Sequence, residues 1–398
     1  HDWMTARETA SVFEALRTAG GEARFVGGAV RNALLGQRVT DIDIATTLSP
    51  ASAMSALKTA SIDTVPTGIE HGTITAIVKG HPFEVTSLRR DVSTDGRRAI
   101  VAFTNDWAED AARRDFTMNA IYADETGCLF DPTGGIADLR AGVVSFVGDP
   151  DARIQEDYLR ILRFFRFQAW YGKAAPDETA LEASARNKAG LKRLSSERVQ
   201  KELLRLLEAE DPEPALKAMQ RFDILEEILP APLNLERLSR IIAIAKQNNI
   251  PRCAVVSLAA LLPSEETANT VASNLKLSNA HRAQLVGILS DYRKVTPMLS
   301  SQDVGKLLYR CGKKMFSEMM LLSWADAQGE PAWNAVLARA NDWIPPVFPI
   351  NGREVMDGGV EEGPGVGRVL SDLERWWVEN EFMPNHEALL AKLKKLVG

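Results

Sequence analysis

The sequence predicts an α+β fold, with a small mixed-sheet head over residues 1–140 followed by an extended all-helical neck (141–215), body (216–345) and tail (346–398). Two observations predict it. Before about residue 150, strand-like stretches recur at Ala23–Val26, Asp41–Ile44, Thr73–Val78, Pro82–Thr86 and Leu129–Asp131, alternating with short helical patterns and glycine-containing turns. After it, helical periodicity dominates, and helices are predicted over Ile154–Tyr171, Ser196–Ala209, Leu235–Gln247 and Ala280–Tyr292. Proline-rich breaks at Leu229-Pro-Ala-Pro and Ile344-Pro-Pro-Val-Phe-Pro divide this second half. A chain of 398 residues also exceeds one ordinary hydrophobic core, which fits several domains.

Composition narrows the class. A hydrophobic fraction of 45% with 25% charged residues describes a globular chain, and no apolar run approaches the roughly 20 residues that span a bilayer. Cys128, Cys253 and Cys311 are odd in number and far apart, against a disulfide framework or a zinc cluster. The first residues have no leader-like pattern, so a reducing, cytoplasmic setting is expected, with no membrane and no obligate protein partner. Net charge is −6, so any surface for nucleic acid has to be a local basic patch. The five histidines include no adjacent His-Asp pair, which argues against a fused metal phosphohydrolase domain.

The head carries the chemistry. A strand runs into Gly27-Gly28, and a short helix from about Ala29 to Leu35 stops at Gly36. A Gly-Gly turn at a helix start lets backbone N–H groups approach a phosphate, and Arg31 one turn later offers a bidentate contact. Asp41-Ile42-Asp43-Ile44, read as a strand, puts both carboxylates on one face. Two like charges side by side need a cation, and Mg²⁺ held by Asp41 and Asp43 would supply one. This pairing of a Gly-Gly turn with a D-I-D strand resembles the polymerase-β-like nucleotidyltransferase superfamily. That likeness implies a third acidic group, for which Glu84 is the candidate.

Between Gly27 and about Leu207 the resemblance narrows to the class II tRNA nucleotidyltransferases (CCA-adding enzymes) and the related bacterial poly(A) polymerases. It rests on GGAVRNALLG (27–36), DIDIATT (41–47), GIEHGT (68–73), DGRR (95–98), RRDFTMNAI (113–121), DPTGGIADL (131–139), EDYLRILRFFRF (156–167) and SSERVQKELLRLL (195–207), in the family's order. Asn32 departs from the family's usual Asp.

The resemblance implies a nucleotidyltransferase head that adds C, C and A to tRNA 3′ ends from CTP and ATP with Mg²⁺. It assigns nucleotide binding to Arg114, ribose reading to Asp115 and a place in the same network to Asn119; Asp115 also suits a helix N-cap. It assigns base reading to Asp157 and Arg160, and triphosphate to Arg163 and Arg166. Asp157 and Arg160, three apart, would share a helical face and meet the amino group and ring nitrogen that only C and A present in that order.

The polar segment from Arg89 to Arg98 is expected to be a mobile loop needed for A addition. Arg198, Lys201 and Arg205 space along a neck helix. Arg237, Arg240, Lys246, Arg293, Lys294, Lys306, Arg310, Lys313 and Lys314 are candidates to grip RNA phosphates. The segment 349–370 resembles the family's tail, which implies tRNA elbow contact. Three other readings stay open: addition of CC only, poly(A) synthesis, and a catalytically silent RNA-binding protein.

Overall fold

A computed structural model describes residues 1–95, 98–229, 232–327 and 332–397. The chain folds as two compact units, His1–Ala231 with Asn274–Lys276, and Pro232–Ser273 with Leu277–Gly398.

The first unit holds the sheet. Its strands are β1 (Ala23–Val26), β2 (Ile42–Thr46), β3 (Asp63–Gly68), β4 (Thr73–Val78), β5 (His81–Ser87), β6 (Arg89–Asp95), β7 (Arg98–Phe103), β8 (Tyr122–Ala123) and β9 (Leu129–Phe130). Seven of them form one mixed sheet in the order β3-β4-β5-β2-β1-β8-β9, with β2 and β5 parallel. Alternation along β5 buries Phe83, Val85 and Ser87 and turns Glu84 to the other face. The core beneath the sheet joins Phe25, Ile44, Ile74 and Val85 to Val12, Leu16 and Leu57 from the helices Arg7–Thr18 and Pro50–Thr59, each of these seven fully buried.

Two expectations are corrected here. β2 starts at Ile42, so Asp41 stands in the bend before the strand rather than on it. The segment expected to be a loop is instead an antiparallel hairpin of β6 and β7, paired from Arg89↔Phe103 to Asp95↔Arg98. Gly96 and Arg97 lie outside the described residues.

Helices complete the first unit. Gly135–Ala141 braces the turn that carries Asn119. Asp131 accepts the N–H groups of Gly135 and Ile136 at 2.8 and 2.9 Å, and Thr117 donates its hydroxyl to Asp138 at 2.6 Å. The predicted single helix Ile154–Tyr171 is two, Pro150–Glu156 and Leu159–Tyr171. Asp157 breaks it, with extended backbone (φ −156°, ψ 105°), and the Tyr158 ring packs on Gly190. Ser196–Leu207 packs beside Leu159–Tyr171.

The second unit is helical. It includes Leu235–Gln247, Ala254–Leu261, Asn279–Asp291 and Ser301–Asp326, the last broken at Gly312 (φ 77°). Arg237, expected among the RNA-gripping cations, is buried and donates to the carbonyls of Ala259, Ala260 and Leu262 that end a neighbouring helix. Near the C-terminus, Ile350, Val355, Leu373, Trp377, Leu389 and Leu393 form a core of their own. Among the described residues no helix is long and apolar enough to cross a membrane.

Gly135 tests the bracing role. A Cβ there would overlap the Thr117 carbonyl oxygen, which is backbone and cannot turn aside. Gly135→Ala is expected to lower stability by roughly 1–3 kcal/mol through overpacking. Denaturant midpoints of mutant and parent check it; equal midpoints would mean the helix and turn are free to part.

Candidate active site

The Gly-Gly turn and the acidic strand meet because β1 and β2 run antiparallel. Phe25 pairs with Ile44, so one step further the end of β1 reaches Asp43. Gly27 then turns the chain with φ 66°, a conformation that favours glycine. A Cβ on it would lie 3.6 Å from Asp43 Oδ2 and 3.8 Å from Arg114 Nη1, filling space beside the carboxylate. Gly28 opens the short helix Gly28–Leu34.

Asp43 and Glu84 are register partners on the parallel strands β2 and β5, so they share a face. Burial first, and then the Glu84 charge, push the Asp43 carboxyl up to about 6; Asp41 adds to this, and Arg114 and Arg31 oppose it. Asp41 is exposed, and Thr40 donates to it at 3.2 Å. Among the described residues, no three His, Cys, Asp or Glu side chains form a closed metal cage. The donor set suits Mg²⁺ all the same, since that ion is usually held by one or two carboxylates with the remaining places left to water and phosphate.

Around this acidic edge the arginines are paired with buried carboxylates. Asp110, 1% exposed, is the hub. Its Oδ1 accepts from Arg113 Nε at 2.8 Å and from the Arg89 backbone at 3.2 Å. Its Oδ2 accepts from Arg114 Nη2 at 3.0 Å and from the Tyr122 hydroxyl at 2.7 Å. Burial alone would raise Asp110, but Arg114 and Arg113, helped by Tyr122, hold it at about 2. Arg113 also donates to the Arg89 carbonyl at 3.1 Å, so the root of the hairpin is tied to the same hub.

Asp115 caps no helix. Its Oδ1 accepts from the Phe116 backbone and Asn119 Nδ2, both at 2.9 Å, and its Oδ2 takes a fork from Arg163. Burial works against its charge, yet Arg163 and Asn119 hold its carboxyl well below the usual carboxylate range. Glu202 on Ser196–Leu207 accepts from Arg166 Nε at 2.6 Å and stands 3.6 Å from Arg163 Nη1. Arg31 is buried rather than open: it donates to Asn119 at 2.5 Å, to the Tyr171 hydroxyl at 2.9 Å and to Asn32 Oδ1 at 3.1 Å. At Asn32, where the family usually has Asp, a neutral oxygen thus meets this guanidinium.

The break at Asp157 overturns the expectation that Asp157 and Arg160 share a face of one helix. Asp157 Oδ1 accepts from the Leu159 backbone at 3.1 Å and Oδ2 from Arg198 Nη2 at 2.7 Å. Arg160 donates to Glu156 at 2.5 Å, to the Arg153 carbonyl at 2.8 Å and to the Arg113 carbonyl at 3.2 Å.

Known proteins match this architecture. A family model described as the Poly A polymerase head domain covers residues 23–145, and one described as the probable RNA and SrmB- binding site of polymerase A covers 175–234. The chain is 33% identical to the mitochondrial CCA tRNA nucleotidyltransferase 1 of Homo sapiens, covering 94% of this chain and 87% of that protein. It is 30% identical to the CCA-adding enzyme of Levilactobacillus brevis, covering 96% and 95%. The solved Bacillus stearothermophilus CCA-adding enzyme, in complex with CTP, matches with a TM-score of 0.71 at 25% identity, over 98% of this chain and 97% of that one. The chain belongs to the CCA tRNA nucleotidyltransferase family.

As a member of the CCA-adding family it is a nucleotidyltransferase, and the α+β class with a helical continuation stands. Several partners in the network escaped the sequence reading. Asp110 had a signal in its spacing, three and four residues before Arg113 and Arg114, which follow the end of the helix Trp107–Ala112. Glu202 and Tyr171 had none, because their partners are 36 and 140 residues away.

The Asp110 hub makes stability depend on pH. A carboxyl held below its unfolded value stabilises fully above about pH 4, and this contribution fades as pH falls towards 2. At neutral pH the depression is worth roughly 2 kcal/mol. Asp110→Asn is therefore expected to destabilise most near pH 6 and progressively less towards pH 3, read from denaturant midpoints. A mutant deficit that stays constant over that range would contradict the pairing.

Proposed function

We propose that this chain extends tRNA 3′ ends by C, C and A without a nucleic-acid template, drawing on CTP and ATP. The observation that carries the reading is the meeting of Gly27, Asp43 and Arg114 at the end of β1, beside an arginine network on the Leu159–Tyr171 helix. The family resemblance supports the choice of tRNA and of CCA, since the relatives are a CCA tRNA nucleotidyltransferase and a CCA-adding enzyme. Three free cysteines support a reducing compartment such as the cytoplasm.

Asp41 and Asp43 would hold Mg²⁺, with Glu84 as the neighbouring carboxylate. Bound there, the ion would lower the pKa of the attacking 3′-hydroxyl and offset charge on the departing pyrophosphate. Gly27 and Gly28 leave room for the nucleotide phosphates to approach the backbone. Arg114 extends Nη1 towards the Asp43 edge while Asp110 fixes its other end. Arg163 and Arg166 take the triphosphate, whose charge competes with Asp115 and Glu202 for their donors. Arg31 and Asn119 steady Asp115, the ribose-reading group.

Base choice falls to Asp157 and Arg160. Arg160 has five N–H donors, and three are engaged by Glu156, Arg153 and Arg113. Among the described residues Nε–H and one Nη2 hydrogen have no other partner and are open to a ring nitrogen, while Asp157 keeps acceptor sites for an amino group. C and A offer this pair of groups; U and G offer the reverse and would leave both side chains mispaired, a mismatch able to reject by ~10⁴-fold. Arg198 and Glu156 hold the readers in place.

Two measurements test the reading. Asp43→Asn is expected to cut transfer roughly 10³-fold or more with fold and tRNA affinity unchanged; near-parental turnover in Mg²⁺ would remove the metal assignment. Arg160→Ala is expected to lower kcat/KM for CTP and ATP by roughly 10–100-fold while UTP and GTP change little. All four nucleotides are compared on one tRNA acceptor. If the variant keeps the parental C/A preference, the base is read elsewhere.

A further inference from the structure

A cavity of about 410 Å³ opens in the second unit, between residues 248–253 and the kinked Ser301–Asp326 helix. Arg252, Lys313 and Lys314 line it, with Glu318 as the one acidic side chain among the lining residues. In a chain of net charge −6 this is a locally cationic hollow. Glu318 is only 5% exposed. Its Oε1 accepts from Gln284 Nε2 at 2.7 Å and lies 3.6 Å from the Cys253 sulfur. Its Oε2 is closed off from solvent and has no hydrogen-bond partner among the described residues.

We propose that this cavity binds a nucleoside monophosphate whose base carries an exocyclic amino group, either free or as an unpaired unit of RNA. The phosphate suits Lys313, Lys314 and Arg252, which offer only donors. An ionised carboxylate offers only acceptors, and once a small shift of its side chain uncovers the free oxygen of Glu318, that oxygen takes one N–H. Adenine and cytosine supply that N–H from their amino groups, whereas uracil turns a carbonyl to the same place. The volume falls in the range of roughly 300–1,000 Å³ typical of small-ligand pockets. Asn341, also in the lining, carries a side-chain amide with a donor and an acceptor for the ribose, and Asn248 adds its amide oxygen while its nitrogen donates to the Ile244 carbonyl at 2.9 Å. The cavity lies apart in sequence from every residue assigned to transfer, so it stands on its own observations.

Cys253 lines the cavity and gives a readout independent of transfer. The full chain is alkylated with N-ethylmaleimide, and the rate at Cys253 is followed by peptide mass spectrometry with exposed Cys128 as the reference. A ligand at about ten times its Kd slows the reaction roughly tenfold by mass action. AMP and CMP are expected to protect Cys253 and leave Cys128 unchanged; UMP and inorganic phosphate protect less. Glu318→Gln removes the preference for AMP and CMP over UMP. Should that buried substitution perturb folding, the Lys313→Ala/Lys314→Ala pair, on the helix surface, removes protection by every nucleotide. Protection by a tRNA lacking its 3′ end, but not by a blunt RNA duplex, identifies the RNA unit as occupant; protection by mononucleotides alone identifies the free ligand. An enzyme that still incorporates CTP while Cys253 reacts equally fast with and without every ligand overturns the cavity and leaves the transfer reading intact. Protection in a chain that incorporates nothing does the reverse.

Discussion

Guanidinium groups crowded into a partly dry space have to be matched with carboxylates, and the first unit is built around that requirement. Asp110 serves Arg113 and Arg114, Asp115 serves Arg163, Glu202 serves Arg166, and Glu156 serves Arg160. Removing one partner of such a buried pair strands the other, typically at a cost of about 3–5 kcal/mol. The pairs therefore fix side chains that come from distant parts of the sequence. Arg163 to Asp115 joins the neck helix to the head, and Arg198 to Asp157 joins a second neck helix to the break between the first two. Arg31 is the exception. It is buried against neutral oxygens from Asn32, Asn119 and Tyr171, and burial lowers its pKa.

The sheet supplies the other half of the geometry. Antiparallel β1 and β2 bring a glycine turn to a carboxylate, and parallel β2 and β5 bring a second carboxylate alongside. Repulsion at this edge is visible in the raised Asp43, a charge arrangement that a phosphate-bound cation would relieve. The same edge faces Arg114, whose far end is anchored at Asp110, and Asp110 in turn grips the Arg89 peptide at the root of β6. One carboxylate thus ties the hairpin to the nucleotide-facing arginine.

Much of the head was legible in the sequence because its signals are local. β1 and β4 have the boundaries that alternation predicts, and the Leu235–Gln247 helix ends where its periodicity does. The Gly-Gly turn and the acidic strand were readable as a pair, although Asp41 fell just outside the strand. The failures share a physical cause. A helical period continues smoothly through Asp157, yet that residue's side chain caps the following turn and the Tyr158 ring packs on Gly190, so tertiary contacts override the pattern. Arg237 reads as a surface cation but ends a neighbouring helix by binding its carbonyls. Pairings such as Arg166 with Glu202 depend on chain reversal, which no local spacing encodes.

The most direct test of the whole account is incorporation into a tRNA that lacks its 3′ terminus, resolved to single nucleotides. CTP alone should add two residues, CTP with ATP should add three and then stop, and a tRNA already ending in CC should gain one A. A product that halts after CC with both nucleotides present, or a lengthening run of A, would contradict it.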